Sequence, residues 1–263
     1  MSVSQTDPGW QLVAHRGHAA RFPENTLPAF ADALAVGGHV LETDVQMTAD
    51  GVPVLFHDRD LRRLCGVSGA IHEKTLEQVQ AFRVRGPTGG EGAPIPTLHD
   101  FVGWLTARPD VETYVELKRI SLARFGVEAV LEAVLPLLAP LTGRCVLISY
   151  DTAALAAVRR RTSWPIGSVF DDWADHRLPA VQALEAEWWL CRLDTLPPGA
   201  IEHPGHRLAV YECGDPQQAR DLLARGVDRV ETFAIGRLLG ALCRQRDEGR
   251  GTSGEDGGDT NNA

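Results

Sequence analysis

Short apolar runs alternate with helix-like segments along most of this 263-residue chain, and that alternation restricts the fold more than any other feature. The helix-like segments have recognisable ends: Asp215 can cap, Pro216 suits the first helical position, and Gly226 closes the helix. Strands that alternate with helices build a parallel sheet, which predicts an α/β fold. The strand pattern covers residues 12–15, 40–46, 53–57, 114–118, 145–150, 166–170, 188–193, 208–212 and 229–232.

One of these nine runs has a local explanation. Only residues 47–52, MTADGV, separate the second run from the third, and Asp50-Gly51 is a hairpin signal. The third run is then an antiparallel return at the barrel mouth, and eight parallel strands remain, which predicts a (β/α)8 TIM barrel. A doubly wound open sheet is the competing architecture. Between residues 58 and 97 the alternation lapses, and we expect a small insertion above the mouth after the third strand candidate.

Composition sets the domain limits and excludes some partners. A hydrophobic fraction of 44% suffices for one large core, which we predict over residues 10–245. Residues 246–263 contain five acids, two arginines and almost nothing apolar, and we predict a disordered tail there. A net charge of −9 argues against general nucleic-acid binding.

The N-terminal residues and the cysteines bear on location. The first ten residues have neither a basic nor an apolar signal region, and no apolar run approaches the ~18 residues that span a bilayer. The five cysteines are scattered without a C-x-x-C pair, as is typical of reduced thiols. We therefore expect a cytoplasmic protein without a stable membrane anchor. The pattern leaves the oligomeric state open.

Charged side chains at the carboxyl ends of the predicted strands indicate the site, because a barrel carries its chemistry at that end. Glu42 and Asp44 project on one face of their strand, ~7 Å apart. Glu116 and Lys118 repeat this spacing on the next parallel strand. Carboxylates from two strand ends suit a hard divalent cation, Mg²⁺ or Ca²⁺. Salt bridges with basic neighbours would also explain Glu42 and Asp44.

Two histidines differ from the others because each ends a strand and precedes a charged residue. His15 is followed by Arg16, and His57 is followed by Asp58. With a metal and Lys118 nearby, these residues would bring an acid, a base and an anion site to one point, as phosphoryl transfer requires. The remaining histidines are expected to be solvated or structural; they are His18, His39, His72, His99, His176, His203 and His206.

Seven short motifs in a fixed order carry a family resemblance. They are HRG at residues 15–17, PENT at 23–26, E-x-D-V at 42–45, T-x-D-G at 48–51, HD at 57–58, IPTL at 95–98 and ELK at 116–118. From about residue 13 to 232 the chain resembles the glycerophosphodiester phosphodiesterases. The resemblance implies a barrel with an inserted subdomain. It also implies metal-dependent hydrolysis of glycerophosphodiesters to sn-glycerol 3-phosphate and an alcohol.

The resemblance also implies roles for single residues. The metal-binding carboxylates are Glu42, Asp44 and Glu116. The acid and base, in either order, are His15 and His57. The phosphate contacts are Arg16 and Lys118. In the PENT segment, Pro23 and Asn25 would set the turn and the helix cap, and Glu24 would fix the loop.

The chain departs from the family pattern late and in one loop. Tyr211 stands where a Trp is usual, which keeps an aromatic wall for glycerol but adds a hydroxyl. The loop after HD reads Arg62-Arg63-Leu64-Cys65 instead of the usual R-T-T, and the sequence assigns it no role.

Three other functions use parts of the same set of residues. A lysophospholipase D-type enzyme would differ only in an apolar channel for an acyl chain. An aldolase would need a deprotonated Lys118, which the nearby carboxylates oppose. A non-catalytic anion-binding barrel would be expected to have lost a histidine or a carboxylate, and all of them are present. Glycerophosphodiester hydrolysis therefore stays the prediction.

Overall fold

A closed parallel barrel forms the body of the protein in the computed structural model, which describes residues 7–251 and the side chains as far as residue 244. The strands are β1 (Leu12–Ala14), β2 (Val40–Met47), β3 (Pro53–Leu55), β4 (Arg83–Val84), β5 (Ala93–Pro94), β6 (Glu112–Leu117), β7 (Cys145–Ser149), β8 (Ile166–Phe170), β9 (Trp188–Arg192), β10 (Arg207–Tyr211) and β11 (Arg229–Thr232). The parallel order β1-β2-β6-β7-β8-β9-β10-β11 returns to β1, which confirms the TIM barrel over the open sheet.

Helices cover the outside of the barrel. They are α1 (Pro8–Gln11), α2 (Leu27–Ala35), α3 (Arg62–Cys65), α4 (Leu76–Gln80), α5 (Leu98–Thr106), α6 (Arg119–Phe125), α7 (Val127–Leu138), α8 (Thr152–Arg161), α9 (Pro179–Gln182), α10 (Pro216–Ala224) and α11 (Ile235–Gly251). Short 3₁₀ turns occupy Ile71–Glu73, Ala139–Leu141, Trp173–Arg177 and Leu193–Thr195. As the sequence predicts, Asp215 caps α10 by accepting a hydrogen bond from the Gln218 N–H.

The extra strand and the insertion lie beside the mouth. β3 pairs antiparallel with β2, Val45 opposite Leu55, so the predicted hairpin is present. The chain then forms α3, the turn Ile71–Glu73, α4 and the two-stranded sheet β4–β5 before α5 begins. These elements pack on a small apolar cluster, which consists of Val54, Phe56, Leu61, Leu64, Ile71, Val79, Val84 and Ile95. Because β3 contributes Val54 to the cluster, the insertion is anchored next to the strand that leads to His57.

The barrel strands are buried on both faces, because one side contacts the helices and the other fills the interior. The interior side chains are Val13, Val40, Tyr114, Val146, Ile148, Val169, Trp188, Leu190, Ala209 and Tyr211. Space is tight at Gly167, where a Cβ would lie 2.7 Å from Leu190 Cδ1 and 2.8 Å from Ile148 Cγ2. The interior is therefore a packed core, and its upper layer supports the mouth.

The described part of the chain ends with helix α11, which runs to Gly251. The domain limit at residue 245 stays a prediction. Residues 252–263, in which most of the predicted tail falls, lie outside the described residues, so the tail stays a prediction. Within residues 7–251, no helix combines the length and the apolar character that a bilayer crossing requires.

Candidate active site

The first strand ends in a sharp turn that places His15 and Arg16 at the mouth. The His15 N–H donates to the Thr232 carbonyl, and Arg16 adopts a left-handed backbone with φ 57°. Gly17 follows with φ 79°, and a Cβ there would lie 2.7 Å from the Ala29 backbone. Only glycine fits so close an approach at that φ. The His15 ring stacks on Phe233, with ring centroids 4.4 Å apart.

Three buried carboxylates meet beside this turn. β2 carries Glu42 and Asp44, and Asp44 is paired in register with Glu116 of β6. Oxygen atoms of Glu42, Asp44 and Glu116 lie within 4.8 Å of one another. The structure thus brings together the residues that the strand ends predict, while their role as ligands stays a prediction.

Cations and an amide surround Asp44. Lys118 Nζ lies 3.2 Å from Asp44 Oδ1 and 3.0 Å from Glu116 Oε1, and Arg16 Nε lies 3.3 Å from Asp44 Oδ2. Asn25 Nδ2 donates to Asp44 Oδ2 at 2.7 Å. Burial opposes ionisation of Asp44, but Lys118 and Arg16 outweigh it and hold its pKa well below the usual range. Asp44 is therefore a firmly ionised carboxylate.

The other two carboxyl groups resist ionisation. Burial, followed by the charge of Asp44, raises the pKa of Glu42 well above its usual value. Burial also raises the pKa of Glu116, although Lys118 opposes the shift. If all three carboxyl groups were ionised, the site would hold more negative charge than Arg16 and Lys118 compensate. Buried carboxylate oxygens with an excess of negative charge are the ligands that a hard divalent cation requires. Glu42, Asp44 and Glu116 therefore fit a hard divalent cation.

His57 follows β3 by two residues and is held by its backbone and by Asp58. Gln46 Nε2 donates to the carbonyl oxygens of Phe56, His57 and Asp58 at 2.8–3.0 Å. His57 Nδ1 lies 3.0 Å from Asp58 Oδ1, so Asp58 contacts Nδ1 and not Nε2. His15, in contrast, is buried, and burial together with the charge of Arg16 lowers its pKa well below the usual value.

One cleft of about 70 Å³ gathers the predicted residues. Its walls include His15, Arg16, Glu42, His57, Glu116, Lys118 and Tyr211. Asp44 lies against this wall through its contacts with Arg16 and Lys118. The Tyr211 hydroxyl donates to the Phe170 carbonyl at 2.9 Å and lies 3.0 Å from the Tyr150 hydroxyl, so the ring orientation is set by both contacts.

Sequence reasoning missed Glu231, which lines the same cleft. Glu231 is 3% exposed, its Oε1 has no hydrogen-bond partner among the described residues, and a Glu231 oxygen lies within 4.8 Å of His15 and Glu42. Burial raises its pKa to about 8, and the neighbouring carboxylates add to the shift while Arg16 opposes it. An acid inside the predicted strand at residues 229–232 was the available signal.

The expected role of Asn25 as a helix cap is wrong. Helix α2 begins after Thr26, which makes no side-chain capping bond. Asn25 has φ 57°, and its Oδ1 accepts from Thr43 Oγ1 at 2.8 Å and from the Asp44 N–H at 3.2 Å. The buried polar groups of β2 bind this amide, because an unpaired polar group there would carry the full cost of its desolvation. Asn25 therefore orients Asp44.

Comparison with known proteins identifies the family. The model of the glycerophosphoryl diester phosphodiesterase family matches residues 15–233. The chain belongs to that family. The match begins at His15 and ends one residue after β11, so it covers the barrel and every residue of the cleft.

Curated relatives of this family member match it over part of their length. A probable glycerophosphodiester phosphodiesterase 2 of Mycobacterium tuberculosis is 39% identical over 110 residues, which are 41% of this chain and 39% of the relative. A glycerophosphodiester phosphodiesterase of Caldanaerobacter subterraneus is 35% identical over 120 residues, 44% of this chain and 49% of the relative. The matched part of the chain spans less than half the length of either relative.

Solved structures share the fold of this family member. A putative glycerophosphoryl diester phosphodiesterase from Silicibacter pomeroyi has a TM-score of 0.78 at 24% identity, covering 89% of this chain and 93% of that one. An Oleispira antarctica phosphodiesterase, in complex with the product sn-glycerol-3-phosphate, has a TM-score of 0.77 at 21% identity, covering 89% and 96%. At these identities the likeness shows the barrel fold.

Proposed function

We propose that this chain hydrolyses glycerophosphodiesters to sn-glycerol 3-phosphate and an alcohol. One observation carries the proposal: two histidines, two cations and two carboxylates line one cleft at the carboxyl ends of the barrel strands, and the carboxylate of Asp44 lies against its wall. Membership of the glycerophosphoryl diester phosphodiesterase family supports this chemistry. The structurally similar Oleispira antarctica phosphodiesterase, in complex with sn-glycerol-3-phosphate, supports the substrate class.

Glu42, Asp44 and Glu116 would hold a divalent cation, Mg²⁺ or Ca²⁺. When bound, the cation supplies positive charge that offsets the non-bridging oxygens of the phosphodiester. Arg16 and Lys118 add two fixed cations. Arg16 Nη1 is bonded to Glu24 and its Nε lies against Asp44, while its Nη2 makes no hydrogen bond among the described residues. Nη2 is thus the guanidinium atom that is available to a phosphate oxygen.

The two histidines would divide the proton transfers. His15 is buried beside Arg16 and is neutral at neutral pH, so it can accept a proton from the attacking hydroxyl. His57 is oriented by Asp58 through Nδ1, and its Nε2 would donate a proton to the leaving alkoxide. A poor leaving group needs that proton, because a free alkoxide is a strong base.

The attacking group would be either water or the glycerol hydroxyl next to the phosphate. The intramolecular hydroxyl gains from proximity and would form a cyclic phosphate that water then opens. Tyr211 would pack against the glycerol carbons in either case. A cytoplasmic location stays a prediction, which rests on the scattered cysteines.

The test is hydrolysis by the purified chain after chelation with EDTA. Glycerophosphocholine, glycerophosphoethanolamine and a lysophospholipid are supplied separately, with Mg²⁺ or Ca²⁺ added back. The released alcohol is measured for every substrate, and sn-glycerol 3-phosphate is measured for the two glycerophosphodiesters. We expect turnover of the two glycerophosphodiesters only after a cation is returned. Turnover of the lysophospholipid alone would favour the lysophospholipase D-type function. No turnover of any diester with either cation would contradict the proposal.

A further inference from the structure

Arg63, in the insertion, binds two carboxylates at once. Its Nε donates to Asp58 Oδ2 at 2.6 Å and its Nη2 to Asp58 Oδ1 at 2.7 Å. On the other side, Nη1 and Nη2 donate to the two oxygens of Glu24, each at 2.8 Å. The planar guanidinium suits this double bidentate contact, whereas a lysine ammonium is a point charge and cannot reproduce it.

Each carboxylate in turn contacts a residue of the cleft. Glu24 Oε1 also accepts from Arg16 Nη1 at 2.9 Å, and Asp58 Oδ1 lies 3.0 Å from His57 Nδ1. Glu24 lies in the loop after β1, Asp58 follows β3, and Arg63 lies in α3. One side chain of the insertion is therefore linked, through two carboxylates, to the phosphate-binding arginine and to a histidine of the cleft.

The guanidinium also decides what this spot can hold. Ligand atoms of Glu24, His57 and Asp58 lie within 4.8 Å of one another, a spacing that could suit a metal ion. Arg63 supplies the positive charge there instead. Burial opposes ionisation of Glu24, but the hydrogen bond from Arg63 outweighs it and lowers the Glu24 pKa.

We propose that Arg63 is a positioning residue, which orients His57 through Asp58 and Arg16 through Glu24 and so couples the insertion to the cleft. The proposal rests on the proposed function. Because a misplacement of about 1 Å can cost ~10²-fold in rate, loss of this link should affect catalysis well beyond any effect on folding. The Arg63 side chain is half exposed. Because exposed ion pairs contribute little to stability, loss of the Arg63 side chain should change the free energy of unfolding little.

The neighbouring Arg62 offers a matched control. Arg62 belongs to the same helix, and its partners are Asp60 and Ser68 of the insertion itself. Arg62→Ala therefore removes an arginine from α3 without touching Glu24 or Asp58. We expect its kcat and KM to stay within twofold of the unchanged protein.

The kinetic experiment separates the two links. We expect Asp58→Asn to act on kcat through His57, Glu24→Gln to act on KM through Arg16, and Arg63→Ala to do both, with kcat lowered at least ~10-fold. Arg63→Lys should not restore activity. In the Glu24→Gln/Asp58→Asn background, Arg63→Ala should cost little more, because its partners are already altered. The proposal would be overturned if kcat and KM of Arg63→Ala stayed within twofold of the unchanged protein. It would also be overturned if Arg63→Ala cost as much activity in the Glu24→Gln/Asp58→Asn background as it does in the unchanged protein.

A second readout does not need turnover. In ¹⁵N-labelled protein, the His57 Nδ1–H group should be hydrogen-bonded to Asp58, and Arg63→Ala should shift or broaden the Nδ1–H resonance while Arg62→Ala does not. An unchanged Nδ1–H resonance in folded Arg63→Ala would refute the positioning role. If the unchanged protein hydrolyses no diester, the proposed function fails, and this spectrum alone decides the role of Arg63.

Discussion

The buried carboxyl of Glu231 should make the metal-free protein less stable as the pH rises. Its pKa of about 8 in the fold exceeds the ordinary value of 4.5, so the folded state binds a proton that the unfolded state releases between these values. The stability contributed by protonated Glu231 is therefore full below about pH 4.5 and is lost as the pH rises through about 8. At 1.36 kcal/mol per pKa unit, the loss is about 3 to 5 kcal/mol.

Glu231→Gln removes the titrating proton while keeping the shape. In EDTA-treated protein at pH 8.5, the free energy of unfolding of the variant should be about 3 to 5 kcal/mol higher than that of the unchanged chain. At pH 4.5 the two free energies should be nearly equal. A domain of this size gains roughly 2–4 °C in Tm per kcal/mol, so the difference is large enough for thermal denaturation to measure. Glu42 and Glu116 should leave a residual slope in the variant, since their pKa values are raised too.

Glu132→Gln is the control, because Glu132 is exposed on α7. It should leave the pH dependence of the unfolding free energy unchanged. Equal slopes for the unchanged protein and Glu231→Gln between pH 4.5 and 8.5 would refute the reasoning.

Four further predictions concern activity. Glu42→Gln, Asp44→Asn and Glu116→Gln should each abolish most hydrolysis and weaken Mg²⁺ binding in a calorimetric titration, with the circular dichroism unchanged. Full activity of these variants in EDTA would contradict the prediction. Loss of either histidine should cost at least ~10²-fold in kcat, and the double variant less than the product of the singles, because both act in one reaction; a fully active His15→Ala or His57→Ala would remove that residue from the mechanism. Tyr211→Ala should weaken use of every glycerophosphodiester to a similar degree, whatever the alcohol. A diester lacking the neighbouring glycerol hydroxyl should not be turned over if that hydroxyl attacks, and equal turnover of both diesters would show that water attacks directly.

The order of elements and most of the cleft could be predicted from the sequence, because both depend on local patterns. Apolar runs of strand length, the short MTADGV connection and the helix ends are properties of neighbouring residues. The cleft residues could be predicted for a related reason. A barrel brings the carboxyl ends of all its parallel strands to one face. An acid or a histidine at the carboxyl end of a strand therefore lies at the mouth of the barrel.

Tertiary structure decided the contacts between segments that are distant in sequence. Closure of the sheet depends on the pairing of β1 with β11, in which Val13 of β1 lies opposite Glu231 of β11. These two residues come from opposite ends of the chain. The helix-cap prediction for Asn25 followed its sequence neighbours, but Thr43 and Asp44 of β2 bind its side chain instead.

Arg63 and Glu231 show the same limit. In the sequence, Arg63 is one of two adjacent arginines in a polar loop, and nothing local distinguishes it from Arg62. Only the packing of the insertion against the loop after β1 brings Glu24 within its reach. Glu231 lies in a short predicted strand, and its burial beside His15 and Glu42 follows from barrel closure. Burial and charge proximity are properties of the assembled fold, so the pKa values that matter here follow from the tertiary structure.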